Sequence, residues 1–186
     1  MAELLRTDRL LVRNWSVADA EAALKIYGHE NVIRWLHELN RIPDADAMQQ
    51  VLAGWATEQS DTAPGTGRWA LVLLEGGTLV GGISLLPMPV PEADVKIGYE
   101  LAPAYWGRGY ITEAARALAR WAFQQHSLVE LFALVAPDNV RAAATARRIG
   151  MEWVGESDKY HGTCLQVFRL RPDDLVCAGA LRQTAP

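Results

Sequence analysis

The chain has 186 residues and a mass of 20.5 kDa, the size of one ordinary domain, and it should bury about 70% of its unfolded surface. Half of its residues are hydrophobic and 22% are charged, which excludes a disordered composition. With 18 basic against 22 acidic residues the net charge is −4, so no nucleic-acid partner is expected, and no apolar run is long enough for a membrane span.

The N-terminal residues lack the apolar stretch of a signal peptide, and Cys164 and Cys177 are too few for a disulfide framework. A soluble, cytoplasmic protein with free thiols is the expectation. His29, His37, His126 and His161 form no HxxH or HExxH pair and meet no CxxC, so no metal is expected. A P-loop, a G-x-G-x-x-G turn after a strand and a G-x-S-x-G nucleophile elbow are all absent.

In chain order, Leu10 to Val12 ends a short apolar stretch that predicts a first strand. Ser16 with Asp19 three residues on is a helix start, after which Ala20, Leu24 and Tyr27 share a face. A second helical stretch covers about Asn31 to His37. A third follows Pro43, with Met48, Val51, Leu52 and Trp55 at helical spacing. Residues 60–67 read as a loop. Trp69 to Leu74 and Thr78 to Leu86 then predict a hairpin around Glu75-Gly76-Gly77, and Pro87, Pro89 and Pro91 mark another loop. From Asp94 to Leu101 the pattern alternates: Val95, Ile97, Tyr99 and Leu101 share one face, Asp94, Lys96, Gly98 and Glu100 the other. A helix with Ala115, Leu118, Ala119 and Ala122 on its apolar face comes next, then a strand over Val129 to Val135. An Ala-rich helix from about Arg141 to Ile149 is capped by Gly150. Met151 to Gly155 and Cys164 to Leu170 predict a last hairpin. One domain over 1–186 is expected, with its core at about 5–171 and a short turn and loose tail over 172–186.

The strand, the Gly107-Arg108-Gly109 turn and the following helix are the strongest local feature. Two glycines let a backbone approach a ligand, and the free N–H groups of the helix's first turn favour an anion. A plain helix cap uses the same residues. Six arginines stand against three acidic residues between Ala104 and Arg148, a positive segment in an acidic chain that suits a multiply phosphorylated small ligand or a solvated helix surface.

Ile97-Gly98-Tyr99-Glu100-Leu101, then Tyr105-Trp106-Gly107-Arg108-Gly109-Tyr110 and Thr112-Glu113-Ala114, resembles the acetyl-CoA motif of the GCN5-related N-acetyltransferases. Pro137-Asp138-Asn139 and Ile149-Gly150-Met151 sit at that family's spacing. Thr7-Asp8-Arg9-Leu10 and Val32-Ile33-Arg34-Trp35-Leu36 look like the branch containing ribosomal-protein-alanine N-acetyltransferases. The resemblance covers about residues 5 to 171.

It implies an α/β fold with a mixed, mostly antiparallel sheet of about six or seven strands flanked by helices. Acetyl-CoA would enter where two parallel strands, around Tyr99 and Ala133, splay apart. Tyr99, Leu101 and Asn139 would line its pantetheine arm. Trp106, Gly107, Arg108, Gly109, Tyr110, Ile111 and Thr112 would form its phosphate turn. Four positions depart from the family pattern: Trp106 replaces Gln or Arg, Ile111 replaces Gly or Ala, Ala142 replaces Ser, and Ala146 replaces the tyrosine that protonates the leaving thiolate in many members.

The implied reaction is direct attack of a primary amine, from a peptide or protein N-terminus or a small molecule, on the thioester in a ternary complex. Glu100 is the candidate base and the Leu101 backbone N–H the carbonyl donor; a surface carboxylate paired across the sheet is the alternative for Glu100. Trp35, His37 and Trp55 fall where the family places its acceptor groove, although the two tryptophans also suit a core. Tyr160 and His161 could line the same groove. Outside the enzyme class, a non-catalytic acyl-CoA-binding module and a plain interaction domain remain as readings, and a homodimer stays open.

Overall fold

The computed structural model describes residues 2–36, 42–61, 65–88, 94–126, 128–160 and 162–175. Its elements are β1 (Glu3–Arg6), β2 (Leu10–Asn14), α1 (Ala20–Tyr27), α2 (Glu30–Ile33), α3 (Ala45–Asp61), β3 (Gly67–Leu73), β4 (Leu79–Pro87) and β5 (Val95–Leu101). Then come α4 (Tyr110–His126), β6 (Leu131–Val135), α5 (Val140–Ile149), β7 (Glu152–Ser157) and β8 (Leu165–Leu170). The strands make one sheet in the order β1-β2-β3-β4-β5-β6-β8-β7. Every neighbouring pair is antiparallel except β5 and β6.

The two ladders of β5 differ sharply. Against β4 it is paired along its whole length, from Gly81↔Leu101 to Pro87↔Val95. Against β6 it has one rung, Lys96↔Phe132. Beyond that rung the parallel strands part, as the resemblance implies, and the C-terminal half of β5 borders a gap. Ala102 donates its N–H to the Val80 carbonyl at 2.9 Å, on the β4 side. Because successive peptide groups of a strand face opposite ways, the Leu101 N–H and C=O point into the gap.

Local sequence explains several element ends. Ser16 and Asp19 form a reciprocal capping box. The Asn139 side chain accepts from the Ala142 N–H at the start of α5, and Gly150 ends that helix with φ of 113°. The alternation of β5 is realised, with Val95, Ile97 and Leu101 buried. So is the apolar face of α4: Ala115, Leu118, Ala119 and Ala122 are fully buried against the sheet with Leu131 and Phe168. On the other face α1 and α3 enclose a second cluster containing Trp15, Tyr27, Met48, Leu52 and Trp55.

The sheet has eight strands rather than six or seven. The additional strand, β1, has an exposed-intermediate-intermediate-exposed burial pattern, so it shows no alternation to read; its pairing with β2 places it. The second helix is shorter than expected, Glu30–Ile33, and α3 extends through Asp61 into the stretch read as loop. Residues 172–175 form a helical turn that buries Leu175 in the main core, so the ordered packing runs past 171. His37, Pro89, Pro91, His161 and Cys177 lie outside the described residues.

Candidate functional site

The gap beside β5 opens into a cavity of about 750 Å³, within the ordinary range for small-molecule sites. Tyr99, Glu100, Leu101, Trp106, Gly107, Gly109, Tyr110, Ile111, Thr112 and Asn139 all line it. Arg108 is the exception among the expected residues. Its exposed side chain lies over the Tyr105 ring, 5.5 Å from guanidinium to centroid, so only its backbone belongs to the turn. A second cavity, of about 180 Å³, adjoins the first: both are lined by Trp35, Tyr99, Glu100 and Asn139.

The phosphate-type turn has the backbone that its glycines suggest. Gly107 and Gly109 have φ of 75° and 79°, a region that side-chain-bearing residues rarely adopt. The Glu113 N–H to Gly109 C=O bond, 3.0 Å, opens α4. The amides of Tyr110, Ile111 and Thr112 precede it and have no carbonyl of the helix to reach. Of the six arginines in the positive segment, Arg141 and Arg148 line the large cavity with Thr145. Arg116 instead holds the end of α5, donating to the carbonyls of Ile149 and Arg148.

Glu100 meets a partner that local sequence does not announce. The Tyr27 hydroxyl donates to Glu100 Oε2 at 3.2 Å. Burial, and then the charge and hydrogen bond of Glu100, hold the Tyr27 phenol well above its ordinary pKa, so it stays protonated and remains a donor. Gly82, the register partner of Glu100, leaves room for this contact; a Cβ there would collide with the Tyr27 hydroxyl and meet a Trp15 ring atom at 3.1 Å. Gly82→Ala is therefore expected to cost about 1–3 kcal/mol in denaturant unfolding, part of it recovered when combined with Tyr27→Phe. A single variant as stable as wild type would show that the packing yields freely.

Three further residues organise the site. The Trp106 indole N–H donates to the gap-facing Leu101 carbonyl at 2.7 Å, and the Arg141 guanidinium stacks over its ring at 4.4 Å. Tyr99, its pKa raised by burial and by Glu100, donates its hydroxyl to the Ala142 carbonyl at 3.1 Å, tying β5 to the start of α5. Asn139 accepts the Ala142 N–H at Oδ1 to cap α5, and its amide NH₂ keeps two donors beside the cavity that the residue lines. Ala146 is fully buried in the main core, and the position offers no hydroxyl.

In the smaller cavity Tyr27, Trp35 and Trp55 supply aromatic wall beside Arg68, Ser84 and Glu100. Trp55 is both core and wall, buried in the second cluster and reaching the cavity; Trp35 is half-buried. Tyr160, expected near the groove, lies buried with Met88 and Leu165 and lines neither cavity. Among the described residues no group of three or more His, Cys, Asp or Glu could hold a metal, and no helix is long and apolar enough to cross a membrane.

Comparison with known proteins gives the family. Residues 9–152 match the family model of the acetyltransferase (GNAT) domain. The uncharacterized N-acetyltransferase YoaA of Bacillus subtilis is 26% identical over 162 residues, 86% of this chain and 89% of that protein. The FsC-acetyl coenzyme A-N(2)-transacetylase of Aspergillus fumigatus is 29% identical over 107 residues, 54% of this chain and 45% of its own. The crystal structure of the ribosomal-protein-S5-alanine acetyltransferase of Vibrio fischeri superposes with a TM-score of 0.74, covering 94% of this chain and 99% of that one; at 18% identity this is a likeness of fold.

Proposed function

The chain belongs to the GNAT acetyltransferase family, and from that premise we propose that it moves the acetyl group of acetyl-CoA to a primary amine by direct attack in a ternary complex. One observation carries the reading: the larger cavity joins the phosphate-type turn, the open edge of β5 and Glu100 in one continuous wall. The family uses acetyl-CoA, and the residues suit it. The amides of Tyr110 to Thr112 would take the diphosphate, with Arg141 and Arg148 adding positive charge along the cavity. The gap-facing edge of β5 would pair with the amides of the pantetheine arm.

The chemistry then follows from the positions of two groups. The Leu101 N–H points into the gap, where it would donate to the thioester carbonyl oxygen as negative charge develops. Glu100, half-buried beside both cavities, would take a proton from the arriving ammonium and so free the lone pair that attacks the carbonyl carbon, the second N–H proton leaving to solvent as the amide forms. The C–N bond forms, the C–S bond breaks and the sulfur leaves as thiolate. A thiol of pKa about 8.5 is a competent leaving group, so the loss of a tyrosine at Ala146 does not stop the reaction. Tyr27 fixes the Glu100 carboxylate by its hydrogen bond. The smaller, aromatic-walled cavity would hold the acceptor, a small amine or a peptide N-terminus.

CoA is expected to raise the melting temperature, because a ligand that binds only the folded state stabilises it. Free pantetheine, which lacks the diphosphate, should raise it far less at the same concentration. Equal shifts from the two would remove the turn at Gly107–Gly109 from the binding site. A thiol-release assay with acetyl-CoA across peptide N-termini, polyamines and aminoglycosides then identifies the acceptor class.

A further inference from the structure

Resting on the acetyl-CoA reading, we propose that Arg9 is a positioning residue for the phosphate turn and that it acts by fixing the orientation of the Arg108–Gly109 peptide. Arg9 lies between β1 and β2, 99 residues from Arg108 in sequence, and its Nη1 donates to the Arg108 carbonyl at 3.1 Å. The rest of its fork is held by Glu113 in the first turn of α4. Nε donates to Glu113 Oε2 at 2.7 Å and Nη2 stands 2.6 Å from the same oxygen. The Arg9 backbone N–H and the Thr7 hydroxyl both reach Glu113 Oε1, at 2.9 and 2.6 Å. The guanidinium also covers the Tyr110 ring at 4.6 Å. One rigid cation thus bolts the β1–β2 turn to both sides of the phosphate turn.

A trans peptide points its carbonyl and its N–H in opposite directions. Arg9 is not part of the cavity wall, whereas Gly107, Gly109 and Tyr110 are. With the Arg108 carbonyl drawn back to Arg9, the Gly109 N–H faces the cavity beside the first-turn amides. Local chemistry alone does not impose this orientation. Gly109 sits at φ of 79°, and glycine populates negative φ about as readily, so this peptide is free to flip. The flipped form would turn the carbonyl oxygen on the phosphates and withdraw one N–H. The hydrogen bond from Arg9 selects the binding form. The same guanidinium neutralises Glu113, whose carboxylate would otherwise stand near the diphosphate.

The test is CoA titration calorimetry and steady-state kinetics on wild type, Arg9→Ala and Arg9→Lys. Loss of one charge-assisted contact to phosphate is expected to weaken CoA about tenfold in Arg9→Ala and raise KM for acetyl-CoA alike, with kcat and acceptor KM held. Arg9→Lys keeps the charge opposite Glu113 but lacks the planar fork that serves two partners, so it should recover little. Unchanged affinity in Arg9→Ala, full recovery in Arg9→Lys, or a fall in kcat with KM unchanged would each overturn the positioning role. CoA binding by wild type separates the two readings: its absence defeats both, whereas its presence with an unaffected Arg9→Ala defeats only this one.

Discussion

Glu100→Gln is expected to slow acetyl transfer at pH 7 by about 10- to 1000-fold, within or just below the usual reach of a positioned base. Glutamine keeps the shape and still offers an oxygen to the Tyr27 hydroxyl, so the change removes proton acceptance and little else. The loss depends on the acceptor. A lysine-like amine is only about 0.04% neutral at pH 7 and needs the base; an α-amine is roughly 10–20% neutral and needs it less. As pH rises the acceptor arrives neutral without help, and the deficit should shrink. Rates of both proteins against pH, with one good acceptor, decide the matter. Matching rates near pH 7, or a deficit as large at about pH 9.5 as at pH 7, would take Glu100 out of the role. Affinity for CoA should hardly move.

Gly109→Val should weaken CoA by about 10- to 150-fold, the equivalent of one or more lost charge-assisted hydrogen bonds, while the far-UV circular dichroism stays that of wild type. The reason is conformational. A Cβ at Gly109 would meet nothing closer than Arg9 Nη2 at 3.6 Å, an ordinary contact. Valine, however, is strongly disfavoured at φ of 79°, so the peptide would leave the left-handed region and turn its N–H away from the cavity. A folded variant with undiminished CoA affinity would mean that the turn only caps α4.

The parts of this molecule that could be read from its sequence are those set by near neighbours. The alternation of Val95 to Leu101, the capping box at Ser16 and Asp19, and the tight turn that Gly107 and Gly109 make before α4 each act over a few residues, and each was legible. The unread parts join distant segments. Thr7 meets Glu113 across 106 residues and Tyr27 meets Glu100 across 73. No periodicity encodes such pairs; they exist because the sheet brings β2 beside the start of α4 and α1 over β4 and β5. Thr7-Asp8-Arg9-Leu10 was visible as a motif, but the contacts of Thr7 and Arg9 with Arg108 and Glu113 were not. Trp55 shows a different limit. Helical spacing marks it as core, and it is buried, yet its ring also reaches the smaller cavity; one side chain serves both surfaces.

The solitary Lys96↔Phe132 rung has a consequence for how the protein keeps company with copies of itself. A strand edge with open peptide groups is a template for another chain, and at the rim of a sheet it invites aggregation. Here the open edge is internal. β6 stands across from it, the strands converge again at Lys96, and Trp106 already occupies the Leu101 carbonyl at the wide end. A second polypeptide strand would have to run beside several residues at a spacing of about 4.8 Å, and the closure of the gap at the Lys96↔Phe132 rung interrupts that run. The fold thus keeps an open strand edge in its interior, where β6 and the Trp106 indole stand between it and a second copy of the chain.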